Sequence, residues 1–213
     1  MIISHKHKFI FVHVVRSGGT SIESVLKNYG QQYRGHIKFY QIKDQFGGNY
    51  DHASVKYKIP HLNLKESHEF DDYFKFVFIR NLPDWLVSLH KYNCRGIATK
   101  HTRKFPAAIK AWTTEKPHPS IGSYKLSTTK FDRHRFVLDN EKNLIPDYIG
   151  RFEHLQEDLD HVCERVGIPN QQLPHLNAAS GKPWQEYYNS ELKDFVNQYW
   201  AFDIEKLGVN WDA

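Results

Sequence analysis

The sequence has 213 residues, a mean hydropathy of −0.65 and a pI near 9.0. That length supports one buried core in a single domain, the hydropathy excludes an integral membrane protein, and 15% aromatic residues exclude a disordered chain. A net charge of +5, with 29 Lys and Arg against 24 Asp and Glu, points to an anionic partner: nucleotide phosphates, an acidic glycan or nucleic acid.

Lys8 to Val15 reads as a buried β-strand, rich in β-branched and aromatic residues, that stops at Gly18-Gly19. Thr20 opens a helix with Ile22, Val25 and Leu26 at helical spacing. Tyr73 to Ile79 is a second strand. Pro83 and Asp84 suit the first turn of a following helix that carries Trp85, Leu86, Leu89 and Tyr92 on one face. The stretch of about 95–135 is an irregular basic insertion with a short helix near Ala107 to Trp112. Tyr148 to Phe152 is a third strand. Leu155, Leu159, Val162 and Val166 follow on one face of a helix ended by Gly167 and Pro169. A last helix, capped near Asn189-Ser190, presents Leu192, Phe195, Val196 and Tyr199. Strands alternating with helices predict an α/β fold with a largely parallel central sheet, in which ligands bind beyond the carboxyl ends of the strands. No repeat or linker divides the chain, so residues 1–213 are read as a single domain. Cys94 and Cys163 are too few for a disulfide scaffold or a zinc site. The first apolar run is too short to span a membrane, and with no secretory signal the expected location is the cytoplasm, the alternative being a lumenal fragment that has lost its anchor.

Arg16-Ser17-Gly18-Gly19-Thr20-Ser21 has the parts of an anion cradle. Glycines let successive N–H groups point inward, the helix start adds its positive end, the hydroxyls donate hydrogen bonds, and Arg16 supplies a full charge. The same residues also serve an ordinary strand-to-helix turn with a cap. The segment is not a Walker A loop: Gly19 stands where that pattern needs lysine and His13 where it needs the first glycine. A nucleotide kinase, which must hold a β/γ-phosphate with Mg²⁺, therefore lacks its lysine here. After the second strand, Arg80 and, two helical turns on, Ser88 suit a second phosphate. Two anion sites at strand ends fit a nucleotide with phosphates at both its 5′ and 3′ positions.

These segments resemble motifs of the carbohydrate sulfotransferases that use 3′-phosphoadenosine 5′-phosphosulfate (PAPS), in particular the short bacterial members. The residues that carry the resemblance are His13 to Ser21, Phe74 to Ser88, Asp51-His52-Ala53-Ser54, Gly150-Arg151-Phe152-Glu153, Leu173-Pro174-His175-Leu176-Asn177, Tyr187-Tyr188 and Asp203 to Gly208. They run in order along nearly the whole chain. The resemblance implies a P-loop-like three-layer α/β fold with a largely parallel central sheet flanked by helices. It also implies that Arg16, Ser17, Gly18, Gly19, Thr20 and Ser21 hold the 5′-phosphosulfate, and that Arg80 and Ser88 hold the 3′-phosphate. The chain departs from the family pattern in having Arg16 for the usual lysine, Val15 for a proline, and Pro83 one place late. Arg16 keeps the charge but cannot shuttle a proton.

Sulfuryl transfer requires an acceptor hydroxyl in line with the leaving phosphate oxygen and a base for its proton. Positioning and charge neutralisation do most of the work, by analogy with phosphoryl transfer. Histidine suits the base near neutral pH. Of the 14 histidines, His52 is selected because it falls on a family motif, with His61 and Glu66 as runners-up in the same region. His5, His7 and His101 read as solvated basic segments and His118 as plain loop. Glu153 reads as a buried carboxylate that pairs with Arg151 or caps the next helix, and Lys182 as a residue that closes over the donor or lies exposed. The expected catalytic residues are thus His52 and Arg16. The acceptor is expected to be a saccharide or glycolipid hydroxyl; no metal, membrane span or nucleic-acid partner is expected. A non-catalytic module for acidic glycans or nucleic acid is the rival from another class, on the basic aromatic run from Lys91 to Lys130.

Overall fold

The computed structural model describes residues 1–33, 35, 37–46, 69–94, 104–113, 133–174 and 182–212. The strands are β1 (Ile2–Ser4), β2 (Phe9–Val12), β3 (Gln31–Gln32), β4 (Phe74–Ile79) and β5 (Tyr148–Arg151), and the helices α1 (Gly19–Leu26), α2 (Phe39–Phe46), α3 (Leu82–Asn93), α4 (Phe105–Trp112), α5 (Leu155–Val166), α6 (Ser190–Tyr199) and α7 (Ala201–Leu207). The chain divides into two compact units, Met1–Ile79 with Arg135–Asn177, and Arg80–His134 with Ala178–Ala213.

The first unit is built on a five-stranded sheet of order β3-β1-β2-β4-β5. β2 pairs parallel with β4, Phe9 opposite Phe74 through Val12 opposite Val77. β4 pairs parallel with β5, Phe76 opposite Tyr148 through Ile79 opposite Arg151. The α/β expectation holds for these three strands. The inner strands β2 and β4 are near-continuous apolar runs because they are buried on both faces: every residue of β2 and all but Phe74 of β4 are buried. The sheet as a whole is mixed, because β1 runs antiparallel to both β2 and β3. β3 is two exposed glutamines, a short polar edge that offers little for further strand pairing.

The core of this unit joins Phe9, Phe11, Phe76 and Phe78 of the sheet to Ile22 and Leu26 of α1 and Leu159, Val162, Cys163 and Val166 of α5. Phe11 stacks on Phe76 with ring centroids 5.4 Å apart. Burial of each such side chain contributes roughly 1.5–3 kcal/mol. The four α5 residues stand at i, i+3, i+4 and i+7, which puts them on one face. The helix ends at Gly167 in the left-handed conformation (φ 68°).

In the second unit α3 buries Leu82, Trp85, Leu86 and Leu89, and α4 buries Phe105 and Ile109. Phe105 meets Tyr187 and Tyr188 edge-on, at 5.4 and 5.2 Å. The Asn189 side chain accepts the Leu192 N–H at 2.9 Å and caps α6, as the sequence predicts. Two expected core residues are exposed: Tyr92 at 49% and Tyr199 at 43%. Each lies in the last turn of its helix, past the part that is covered. The short helix expected near Ala107 is α4; the rest of the basic insertion lies mainly outside the described residues.

Candidate active site

β2 ends at Val12, and the turn that follows delivers the chain to α1. Two of its residues have positive φ, Arg16 at 61° and Gly18 at 79°. For Gly18 this costs nothing; for Arg16 it costs roughly 1–2 kcal/mol, because Cβ is crowded by the carbonyl that follows. Strain of this kind is retained where the surroundings hold it, typically at ligand-binding turns. Ser17, between the two, is 1% exposed, and its hydroxyl has no hydrogen-bond partner among the described residues. Such a buried hydroxyl costs free energy unless a ligand or water completes it. The Gly18 carbonyl accepts from Ser21 N and Ile22 N at 2.9 and 3.2 Å, which starts α1. The first turn of α1 contains no acidic residue, so its positive end is uncompensated. Thr20 is exposed and Ser21 buried.

Gly19 is required by close approach. A Cβ there would stand 2.1 Å from Cδ2 and 2.4 Å from Nε2 of His13, whose ring lies against the turn. The ring is held from its other side by Glu23 of α1, with Nδ1 3.2 Å from Oε1. Glu23 also accepts from the Met1 amino group. Burial by itself raises the Glu23 pKa, but the hydrogen bonds and charges of His13 and the Met1 amino group outweigh it and lower the pKa to about 2. Sequence reasoning placed His13 only in a motif. The Glu23 that orients it lies ten positions on, and the sequence carries no signal that pairs them.

Arg80 is the residue after β4 and opens the second unit. Its Nε donates to Asp84 Oδ2 at 2.5 Å, a pair only 14% and 20% exposed. Asn81, which precedes α3, exchanges two hydrogen bonds with the backbone of Asn210: its Nδ2 donates to the Asn210 carbonyl, and its Oδ1 accepts the Asn210 N–H at 2.9 Å. Pro83 sits in the first turn of α3, where its missing N–H has no helical acceptor to lose. The Tyr188 hydroxyl donates to the Pro83 carbonyl at 2.9 Å. Burial, and then the charge of Asp84, push the Tyr188 pKa well above the ordinary tyrosine value. Ser88 is buried two turns into α3.

Lys182 is half exposed, 3.6 Å from the Glu186 carboxylate and over the Tyr187 ring at 5.0 Å. Glu153 is exposed and does not cap α5, whose N-cap residue is His154, so the expectation of a buried carboxylate is corrected. The chain reaches Glu153 in a 3-10 turn that carries it to the surface. His5 is less solvated than expected: its Nδ1 is 2.6 Å from the Tyr73 hydroxyl. His52, His61, Glu66, His101, His118, His175 and Asn177 lie outside the described residues. Among the described residues no three His, Cys, Asp or Glu are grouped to hold a metal ion. No described helix is long and apolar enough to cross a membrane.

The arrangement supplies a turn with positive φ at Arg16 and Gly18, a buried hydroxyl without a partner among the described residues and a helix start, and separately an arginine clamped at a strand end. Features of both kinds are able to bind phosphate or sulfate oxygens. A family model described as "Sulfotransferase family" matches residues 1–207. The chain is similar to carbohydrate sulfotransferase 14 of Danio rerio, at 24% identity over 220 residues, covering 93% of this chain and 55% of the relative. It thus spans about half the length of that curated relative. It is also similar to the crystal structure of a sulfotransferase from Alicyclobacillus acidocaldarius, with 13% identity, a TM-score of 0.42, and coverage of 94% of this chain and 93% of that one.

Proposed function

The chain belongs to the sulfotransferase family, and from that premise we propose that it moves a sulfuryl group from PAPS to a hydroxyl of a saccharide or glycolipid. The observation that carries the donor reading is the buried, unpartnered hydroxyl of Ser17 in the positive-φ turn before α1. In this reading Arg16 to Ser21 hold the 5′-phosphosulfate and Arg80 and Ser88 the 3′-phosphate, with Lys182 beside the donor. The donor supplies an activated sulfuryl group. The acceptor oxygen bonds to sulfur as the bond from sulfur to the phosphate oxygen breaks, and the hydroxyl proton passes to a base, assigned to His52. Arg16 stabilises negative charge as it grows on the leaving oxygen, where a fixed cation is worth more than in the ground state. The saccharide acceptor is supported by similarity to a protein whose name states that chemistry. No metal is required, because the donor lacks the polyphosphate that Mg²⁺ bridges.

Ligand-dependent melting tests the proposal. Adenosine 3′,5′-bisphosphate, the desulfonated donor, is expected to raise the melting temperature markedly, and ATP little. Stabilisation by ATP alone would favour a kinase. Stabilisation by neither nucleotide, together with binding to acidic glycans, would favour a non-catalytic module. Within the proposal, His52→Ala is expected to leave bisphosphate affinity intact and lower turnover by about 10²–10⁴-fold; unchanged turnover would move the base to His61 or Glu66.

A further inference from the structure

A pair of deeply buried charges lies in the second unit. Arg133 is 0% and Asp203 1% exposed. Arg133 Nε donates to Asp203 Oδ1 at 2.7 Å, and Nη2 donates to the same oxygen. The other carboxylate oxygen, Oδ2, accepts the His134 N–H at 3.0 Å and faces His134 Nδ1 at 3.3 Å. Nη2 also reaches the Gly208 carbonyl at 3.3 Å. The remaining arm, Nη1, donates to the main-chain carbonyl of Arg80 at 2.6 Å.

That last bond matters because of where Arg80 stands. β4 ends at Ile79 and α3 begins at Leu82, with the Asn81 carbonyl accepting the first helical bond, from Trp85 N at 2.8 Å. The Arg80 carbonyl therefore belongs to neither the sheet ladder nor the helix ladder. Arg133 fixes the peptide plane from which the Arg80 side chain departs, and Asp84 fixes the far end of that side chain through Nε. An arginine gripped at both ends presents its guanidinium in one direction, which is what selective recognition of a phosphate requires. Stability alone is a poor reason for the pair: two buried charges are costly to desolvate, and apolar residues of similar size often serve a core as well.

We propose that Arg133 and Asp203 are positioning residues for Arg80, and that they give the protein its discrimination between nucleotides with and without a 3′-phosphate. This rests on the assignment of Arg80 to the 3′-phosphate made above. Arg133 supplies the planar fork that spans Asp203 and the Arg80 carbonyl together; Asp203 holds the fork in place. A lysine at position 133 keeps the charge but, as a single point donor, cannot make both contacts.

The test is calorimetric binding of adenosine 3′,5′-bisphosphate and of adenosine 5′-phosphate to the full chain and to three variants: Arg133→Lys, Arg133→Met, and the double variant Arg133→Met with Asp203→Leu. The double variant removes both charges, and so keeps the test open if Arg133→Met alone unfolds. The expected result is a loss of about tenfold or more in bisphosphate affinity in every folded variant, with 5′-phosphate affinity within about twofold of the parent. Melting of the double variant near the parent value, alongside that selective loss, separates positioning from a general effect on folding. Parent-like discrimination in a folded double variant would overturn the proposal, and so would equal losses for both nucleotides. A parent protein that shows no preference for the bisphosphate would overturn the donor assignment itself, and this inference with it.

Discussion

Arg16 holds a left-handed backbone next to a buried hydroxyl that has no partner among the described residues, and it stands where the motif that this segment resembles has lysine. A planar guanidinium that grips two oxygens cannot be replaced by a point charge, whereas a simple cation can. The expectation is a simple cation: Arg16→Lys retains most of the activity, and Arg16→Ala loses turnover and donor affinity together, with the larger loss in turnover. Steady-state kinetics decide it, since a lysine variant as inactive as the alanine variant would mean that the fork geometry is required. Arg80 invites a sharper measurement. Arg80→Ala is expected to weaken adenosine 3′,5′-bisphosphate binding by about 1.5–3 kcal/mol, the range for a hydrogen bond to a charged group, and to leave adenosine 5′-phosphate binding nearly unchanged. Equal calorimetric losses for the two ligands would assign Arg80 to the fold or to the 5′ end. Asp84 bears on this variant: once Arg80 is removed, its carboxylate loses the cation at 2.5 Å, so part of any melting loss reflects that broken pair.

At the scale of elements, the passage from β2 into α1 combines the positive φ of Arg16 with the close approach of Gly19 to His13. Gly19→Ala forces a methyl group onto the His13 ring, which is held between Phe11, stacked at 6.4 Å, and Glu23. Either the ring leaves Glu23 or the turn opens, at a cost of roughly 1–3 kcal/mol. The expected outcome is a lower melting temperature together with a smaller upward shift on addition of the bisphosphate; an unchanged ligand shift would mean that the cradle is not formed there. This turn was legible in the sequence because its chemistry is local: a hydrophobic strand, paired glycines, then helical spacing. β4, β5 and α5 were legible for the same reason, each with a run or period that a short window captures. β1 and β3 were not, because three and two residues carry no period and are defined only by their partners across the sheet. The Arg133–Asp203 pair was invisible because its members lie 70 positions apart, and a buried arginine in a basic stretch looks like any surface arginine. His13 and Glu23 show the same limit at shorter range. The residues of the site were readable as types in a motif, while the contacts that aim them exist only once the chain is folded.

For the molecule as a whole, solubility and attraction to anionic ligands follow from the excess of basic residues, but stability in acid depends on a few carboxylates. Glu23 ties together the start of β1, the turn after β2 and the helix α1, and its pKa is lowered from 4.5 to about 2. Asp203 is also lowered: burial opposes this, but the charge of Arg133 and the hydrogen bonds of His134 and Arg133 prevail. A carboxylate whose folded pKa lies below its unfolded value stabilises the fold fully above the unfolded pKa and loses that contribution as pH falls toward the folded one. For Glu23 the window runs from about 4.5 down to about 2. Protonation of the 14 histidines alters the net charge in acid as well, so a melting curve of one protein cannot isolate Glu23. Comparison with Glu23→Gln does, because both proteins carry the same histidines. The stability difference between the two, from urea unfolding at fixed temperature, is expected to shrink steadily between pH 4.5 and 2, as the parent carboxylate takes up the proton that glutamine already mimics. A difference that stays constant across that interval would show that Glu23 holds His13 and the N-terminal strand through shape and hydrogen bonding rather than through its charge.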